Sequence, residues 1–232
     1  MSTFVFIHGA AHGAWCWAPV IEHLEAPAFC IDLPGRGKRL ADLASLEITD
    51  YATSAIADIE KLDLEEIVLV GHSMAGVTLP RVADRLHERI KQLVFVSCAV
   101  PPHGENMLQL LDPIPSDPAE IASLVETMAQ MPEDMARYMF CNDMNEAQAQ
   151  FVIDNITPES PRLLLGPADL AGLRHAVPRS YLRLAQDQAL PLSAQDKAIA
   201  SLGDVDVIDL DTGHNIMVSN PRLLAGILNG YL

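Results

Sequence analysis

Short runs of apolar, β-branched and aromatic residues alternate along this chain with stretches whose apolar positions recur at helical spacing. Residues 4–8, 28–32, 67–70, 93–97, 180–184 and 205–210 read as strands. Residues 19–24, 50–62, 75–86, 194–202 and 221–228 read as the helices between them. This alternation predicts an α/β fold, a mostly parallel six-stranded sheet flanked by crossover helices. The unbroken run Ile67-Val68-Leu69-Val70 fits a strand buried on both faces. Asn220 before Pro221 predicts a capped start for the last helix.

One interval breaks the rhythm. From about 101 to 177 no convincing strand occurs, while Ile121, Leu124, Val125 and Met128 recur at helical spacing, followed by Met135, Tyr138 and Met139. Met107, Met128, Met131, Met135, Met139 and Met144, six of the nine methionines, fall here. The expectation is a single domain, residues 1–232, with a helical cap inserted after the fourth strand. Methionine fills gaps in cores and also suits adaptable binding surfaces, so part of the cap is expected to line a pocket.

Composition narrows the function classes. Half of the 232 residues are hydrophobic and a fifth charged, which is globular, and the formal net charge is −16. Such a surface repels phosphate backbones and anionic bilayers, so nucleic-acid and membrane partners are not expected. Cys16, Cys30, Cys98 and Cys141 form no C-x-x-C pair and no metal-ligand cluster, and free thiols are expected. Met1 leads straight into the first strand, with no basic n-region and no 18-residue apolar span, so a cytoplasmic location is the expectation.

The chemistry concentrates in Val70-Gly71-His72-Ser73-Met74-Ala75-Gly76. A buried strand, a sharp turn carrying serine and then a helix are the setting of a nucleophile elbow. Small residues are required two positions either side of the serine; Gly71 meets the first requirement, and Ala75 stands where glycine is usual. A serine hydroxyl needs a base, and in this arrangement the order along the chain is serine, acid, histidine. Of eight histidines, His214 sits directly after the last strand, at the carboxyl edge of the sheet. Asp187 follows the fifth strand and is the candidate acid. Asp196 falls inside the next helix, Asp209 and Asp211 read as loop-capping groups, and the fourth strand is followed only by Ser97 and Cys98.

Oxyanion stabilisation needs backbone N–H donors. Met74, the residue after the serine, supplies one, and the loop His8-Gly9-Ala10-Ala11-His12-Gly13 supplies the other, with Ala10 the candidate. His8 and His12 read as loop-ordering groups, and Asp32-Leu33-Pro34-Gly35-Arg36-Gly37 as a structural turn.

With these pieces in place, the chain resembles the α/β-hydrolase branch of plant methylesterases, the salicylate-binding methylesterase and the hydroxynitrile lyases. The resembling segments are 4–17 (FVFIHGAAHGAWCW), 70–76 (VGHSMAG), 140–158, 179–191 and 213–221. The resemblance implies a six-stranded sheet under a helical cap, with Ser73 as nucleophile, Asp187 as acid, His214 as base, and Ala10 and Met74 as oxyanion donors. It also implies that homodimers occur among esterase members. The lyases it resembles carry threonine at the position of Gly9, glutamate at His72 and a cyanide-stabilising lysine at Asn215. Asn215 has no charge for that task, so the esterase chemistry is expected. The expected activity is hydrolysis of small carboxylic esters through an acyl-enzyme, with no metal or organic cofactor. A lyase or C–C hydrolase on the same triad, and a non-catalytic ligand receptor, are the alternatives.

Overall fold

The computed structural model describes residues 2–232. Strands β1 (Thr3–Ile7), β2 (Ala28–Ile31), β3 (Ile67–His72), β4 (Ile90–Val96), β5 (Arg179–Leu184) and β6 (Asp206–Leu210) form one sheet in the order β2-β1-β3-β4-β5-β6. Every pairing in it is parallel. The chain runs outward from β1 to β2 and then returns to the other side of β1 with β3. Its direction across the sheet therefore reverses between β1 and β3, and the loops leaving those two strands open a crevice at their carboxyl ends.

Side chains alternate between two cores because strand residues point to opposite faces. Val5, Ile7, Leu69, Phe95 and Tyr181 pack on one side; Phe4, Phe6, Val68, Val94 and Leu182 pack on the other. All of β3 is buried, which is why its sequence reads as a continuous apolar run. At one edge, β6 leaves Asp206 and Asp209 exposed, and charge on an edge discourages pairing with another sheet. The cysteines are free, and burial raises the Cys16 and Cys98 thiols well above their ordinary range. Among the described residues no helix is long and apolar enough to cross a membrane.

The helices are α1 (Ala18–Ile21), α2 (Ile48–Lys61), α3 (Leu79–Leu86), α4 (Pro118–Ala129), α5 (Glu133–Phe140), α6 (Glu146–Asn155), α7 (Leu192–Leu202), α8 (Ile216–Ser219) and α9 (Pro221–Asn229). Three departures from the sequence reading have local causes. First, α1 is shorter than expected, because His23 and Leu24 bond to the carbonyls of Val20 and Ile21 and tighten the coil. The helix expected from Ala75 begins instead at Leu79, after a 3-10 turn over Ser73–Val77 that swings the chain out of β3. Finally, Asn220 precedes α9 but makes no side-chain cap; its N–H closes α8 on Ile216 O, so it joins two helices.

Between β4 and β5 the described residues contain no strand. In α4, no residue is buried. In α5, Ala136 and Phe140 turn inward while Met135 and Tyr138 face solvent. The pattern did not predict α6, whose start is fixed by a capping box between Asn145 and Gln148.

Candidate active site

The strand β3 ends at His72, and Ser73 follows with a φ of 53°. A left-handed backbone costs a non-glycine residue on the order of 1–3 kcal/mol, and such strain clusters at functional turns. The turn has no room for a larger neighbour: a Cβ on Gly71 would lie 2.3 Å from Leu79 Cδ1 and 3.0 Å from Ala75 Cβ. Alanine is accommodated at 75 because position 71 carries no side chain. From the adjacent strand the loop after β1 presses on the same turn, and a Cβ on Gly9 would sit 2.7 Å from Ser73 Cβ.

Asp187 and His214 meet, although they lie on loops after different strands. His214 Nδ1 donates to Asp187 Oδ2 at 2.6 Å, and both groups are buried. The same Oδ2 accepts from Ser97 Oγ at 2.6 Å, while Oδ1 accepts from Ala189 N and Leu190 N, each at 2.7 Å. With Nδ1–H committed to the carboxylate, Nε2 is left as the basic nitrogen of the imidazole. The acid loop is held by Gln195, a residue sequence reasoning missed. Its fully buried amide accepts from Leu184 N at 2.9 Å and donates to Leu190 O at 2.8 Å.

Of the rejected acids, Asp196 and Asp209 both pair with Arg183, and Asp211 accepts from Gln186 Nε2 at 2.8 Å. Asp209 is therefore a strand residue in an ion pair; the loop-capping role expected for it is corrected.

The loop after β1 is pinned from several sides. His8 accepts from Leu33 N at 3.2 Å through Nε2, and His12 Nδ1 donates to Ala10 O at 2.7 Å. Glu159 Oε2 accepts from Ala11 N at 3.0 Å and faces Arg36 Nη2 at 2.5 Å, in a buried ion pair. Tyr51 and Ser160 N complete the carboxylate, and Arg36 Nε reaches His12 O at 2.9 Å. The segment read as a structural turn thus delivers a buried cation to the Ala10 loop. Burial lowers His8 to about 4, His12 to about 3 and His72 well below 6.5, so all three rings are neutral at pH 7.

Ala10, Ser73 and Met74 line one cavity of about 120 Å³ with Met107, Met128 and Leu190. Met74 lies in the first turn of its 3-10 helix, where backbone N–H groups lack an acceptor within the helix. A larger open groove of about 700 Å³, beside Arg179 and Lys197, contains none of these groups.

A family model described as the alpha/beta hydrolase family matches residues 4–227. Methylesterase 7 of Arabidopsis thaliana is 25% identical over 244 residues, covering 97% of this chain and 94% of that protein. A carbendazim hydrolyzing esterase of Nocardioides is 34% identical over 116 residues, 48% of each chain. Among solved structures, an extracellular alpha/beta-hydrolase from a Paenibacillus species superposes with a TM-score of 0.88 at 23% identity, covering 100% of this chain and 99% of that one.

Proposed function

This chain belongs to the alpha/beta hydrolase family, and from that premise we propose that it is a serine carboxylesterase acting on small carboxylic esters. The observation that carries the reading is the buried His214–Asp187 hydrogen bond of 2.6 Å. Beside it, the His214 ring lies 4.4 Å from that of His72, the residue before Ser73, and Ser73 lines one cavity with Ala10 and Met74. Relatives named methylesterase and esterase point the same way.

In this mechanism His214 Nε2 takes the hydroxyl proton as Ser73 Oγ attacks the ester carbonyl. The tetrahedral oxyanion is held by the Ala10 and Met74 N–H groups, each such donor being worth about 100–1000-fold in rate. Collapse breaks the bond to the alcohol, which leaves with the proton from His214. Water then attacks the acyl-enzyme, giving its proton to His214 and releasing the acid and the free serine. Asp187 holds the imidazole in the tautomer this cycle needs and stabilises its cation. The apolar lining of the cavity favours uncharged ester substrates.

Labelling by a fluorophosphonate probe tests the assignment: wild type is expected to label and Ser73→Ala to remain unlabelled. Turnover of p-nitrophenyl acetate and of a methyl ester panel is expected alongside. Cyanide release from mandelonitrile without ester turnover would overturn the esterase reading in favour of a lyase. An unlabelled wild type would favour a ligand receptor.

A further inference from the structure

The turn between α5 and α6 touches both loops that carry the acid and the base. Asn142 Nδ2 donates to Gln186 O at 2.8 Å, beside Asp187. Asp143 Oδ2 accepts from Gly213 N at 2.7 Å and from Ser219 Oγ at 2.8 Å, before and after His214 in the chain. Two neighbours extend the pattern: Tyr138 donates to Gln188 Oε1 at 2.8 Å, and Gln148 Nε2 donates to Val218 O at 2.9 Å. The approach dictates the residue at 213, since a Cβ there would lie 2.6 Å from Asp143 Oδ1 and 2.7 Å from Asn142 Oδ1.

These contacts are unequal. Tyr138 and Asn142 are exposed, and their hydrogen bonds compete with water. Asp143 is half-buried and its bond from Gly213 is charge-assisted, a class roughly twice as strong as neutral pairs. Gly213 has no side chain by which to be held and more backbone freedom than any other residue. Its N–H is therefore the handle through which the chain entering His214 can be fixed.

We propose that Asp143 is a positioning residue for the acid–base pair, fixing the His214 loop through the Gly213 N–H. The helical segment between β4 and β5 thereby braces the reacting groups as well as roofing the cavity. This role rests on the esterase reading above, because it matters to catalysis only if His214 is the base.

The experiment compares wild type, Asp143→Ala and Asp143→Asn. Asparagine keeps an oxygen that can accept from Gly213, and alanine does not. With p-nitrophenyl acetate, Asp143→Ala is expected to lose on the order of 100-fold in kcat with KM little changed, as a misplacement near 1 Å does. Asp143→Asn is expected to restore most of that loss. In proton NMR, the low-field signal of the His214–Asp187 hydrogen bond is expected to vanish in the alanine variant and persist in the asparagine one. Wild-type kcat and an unchanged low-field signal in Asp143→Ala would overturn the role, as would an equal kcat loss in both variants. Should the alanine variant not fold, Asp143→Glu shifts the carboxylate by one methylene; the kcat loss is expected there too, and wild-type kcat would overturn the role. Probe labelling of wild type tests the esterase reading separately, and the NMR signal reports on Asp143 whichever way that labelling falls.

Discussion

His72 Nε2 donates to the main-chain carbonyl of His214 at 3.0 Å, with the two rings 4.4 Å apart. The residue before Ser73 therefore holds His214 by its backbone, and a neutral His72 adds no charge beside the imidazolium of the proposed cycle. Replacing His72 by phenylalanine leaves a buried carbonyl without a donor, at a cost of about 1–3 kcal/mol. Urea unfolding is expected to register that loss, and His72→Gln, whose amide can donate, to recover part of it. Equal stability of the phenylalanine variant and wild type would rule out the bond as a contributor.

Asp187→Asn is expected to lower kcat by about 1000–10000-fold while leaving the fold intact. The Ala189 and Leu190 N–H groups demand an oxygen at the Oδ1 position. The new amide nitrogen must then face His214 Nδ1, which becomes an acceptor and moves the ring hydrogen to Nε2. A ring in that tautomer cannot take the serine proton. Retained activity at neutral pH would show that Asp187 does not set the tautomer.

Glu159→Ala strips the partner from a guanidinium that is almost wholly buried. Breaking one side of a buried pair costs about 3–5 kcal/mol because the remaining charge is stranded. A double variant, Glu159→Ala with Arg36→Met, is expected to be more stable than the single one. Equal stabilities would mean that the Arg36 charge finds water or another partner.

The buried histidines impose a pH dependence on stability. The unfolded chain binds protons near 6.5, whereas folded His8 and His12 resist them down to about 4 and about 3. Their contribution is therefore complete above 6.5 and is lost as pH falls below it. Each can steepen the fall by up to about 1.4 kcal/mol per pH unit. Unfolding free energies measured between about pH 7.5 and 5 are expected to fall less steeply in His12→Asn than in wild type. Parallel profiles would refute the assignment.

What could be read from the residues was whatever depends on local pattern. Strand β3, the serine turn and the loops carrying Asp187 and His214 follow from apolar runs and their ends. Pairings between distant segments left no such trace. Arg36 lies in a Gly-rich turn and Glu159 in a Pro- and Ser-flanked loop, and only the packed chain brings them together. Gln195 reads as an ordinary polar helix residue, yet its amide spans both sides of the acid loop. Asp143 belonged to a segment recognised as helical, with nothing in its spacing to reveal the Gly213 contact. Helix boundaries slipped where the chain tightened into 3-10 turns, at Ser73–Val77 and after Ile21, since those turns have the same apolar spacing as a helix end.

The absence of any buried residue in α4 has an evolutionary consequence. Met128, on that helix, reaches the cavity beside Ser73, yet exchanging it removes little hydrophobic area from either sheet core. The cavity wall can change there at small thermodynamic penalty, while the strand beneath keeps the Ser73 turn in place. Such separation of a tolerant α4 from an intolerant floor lets the cavity be reshaped without disturbing the sheet that carries it.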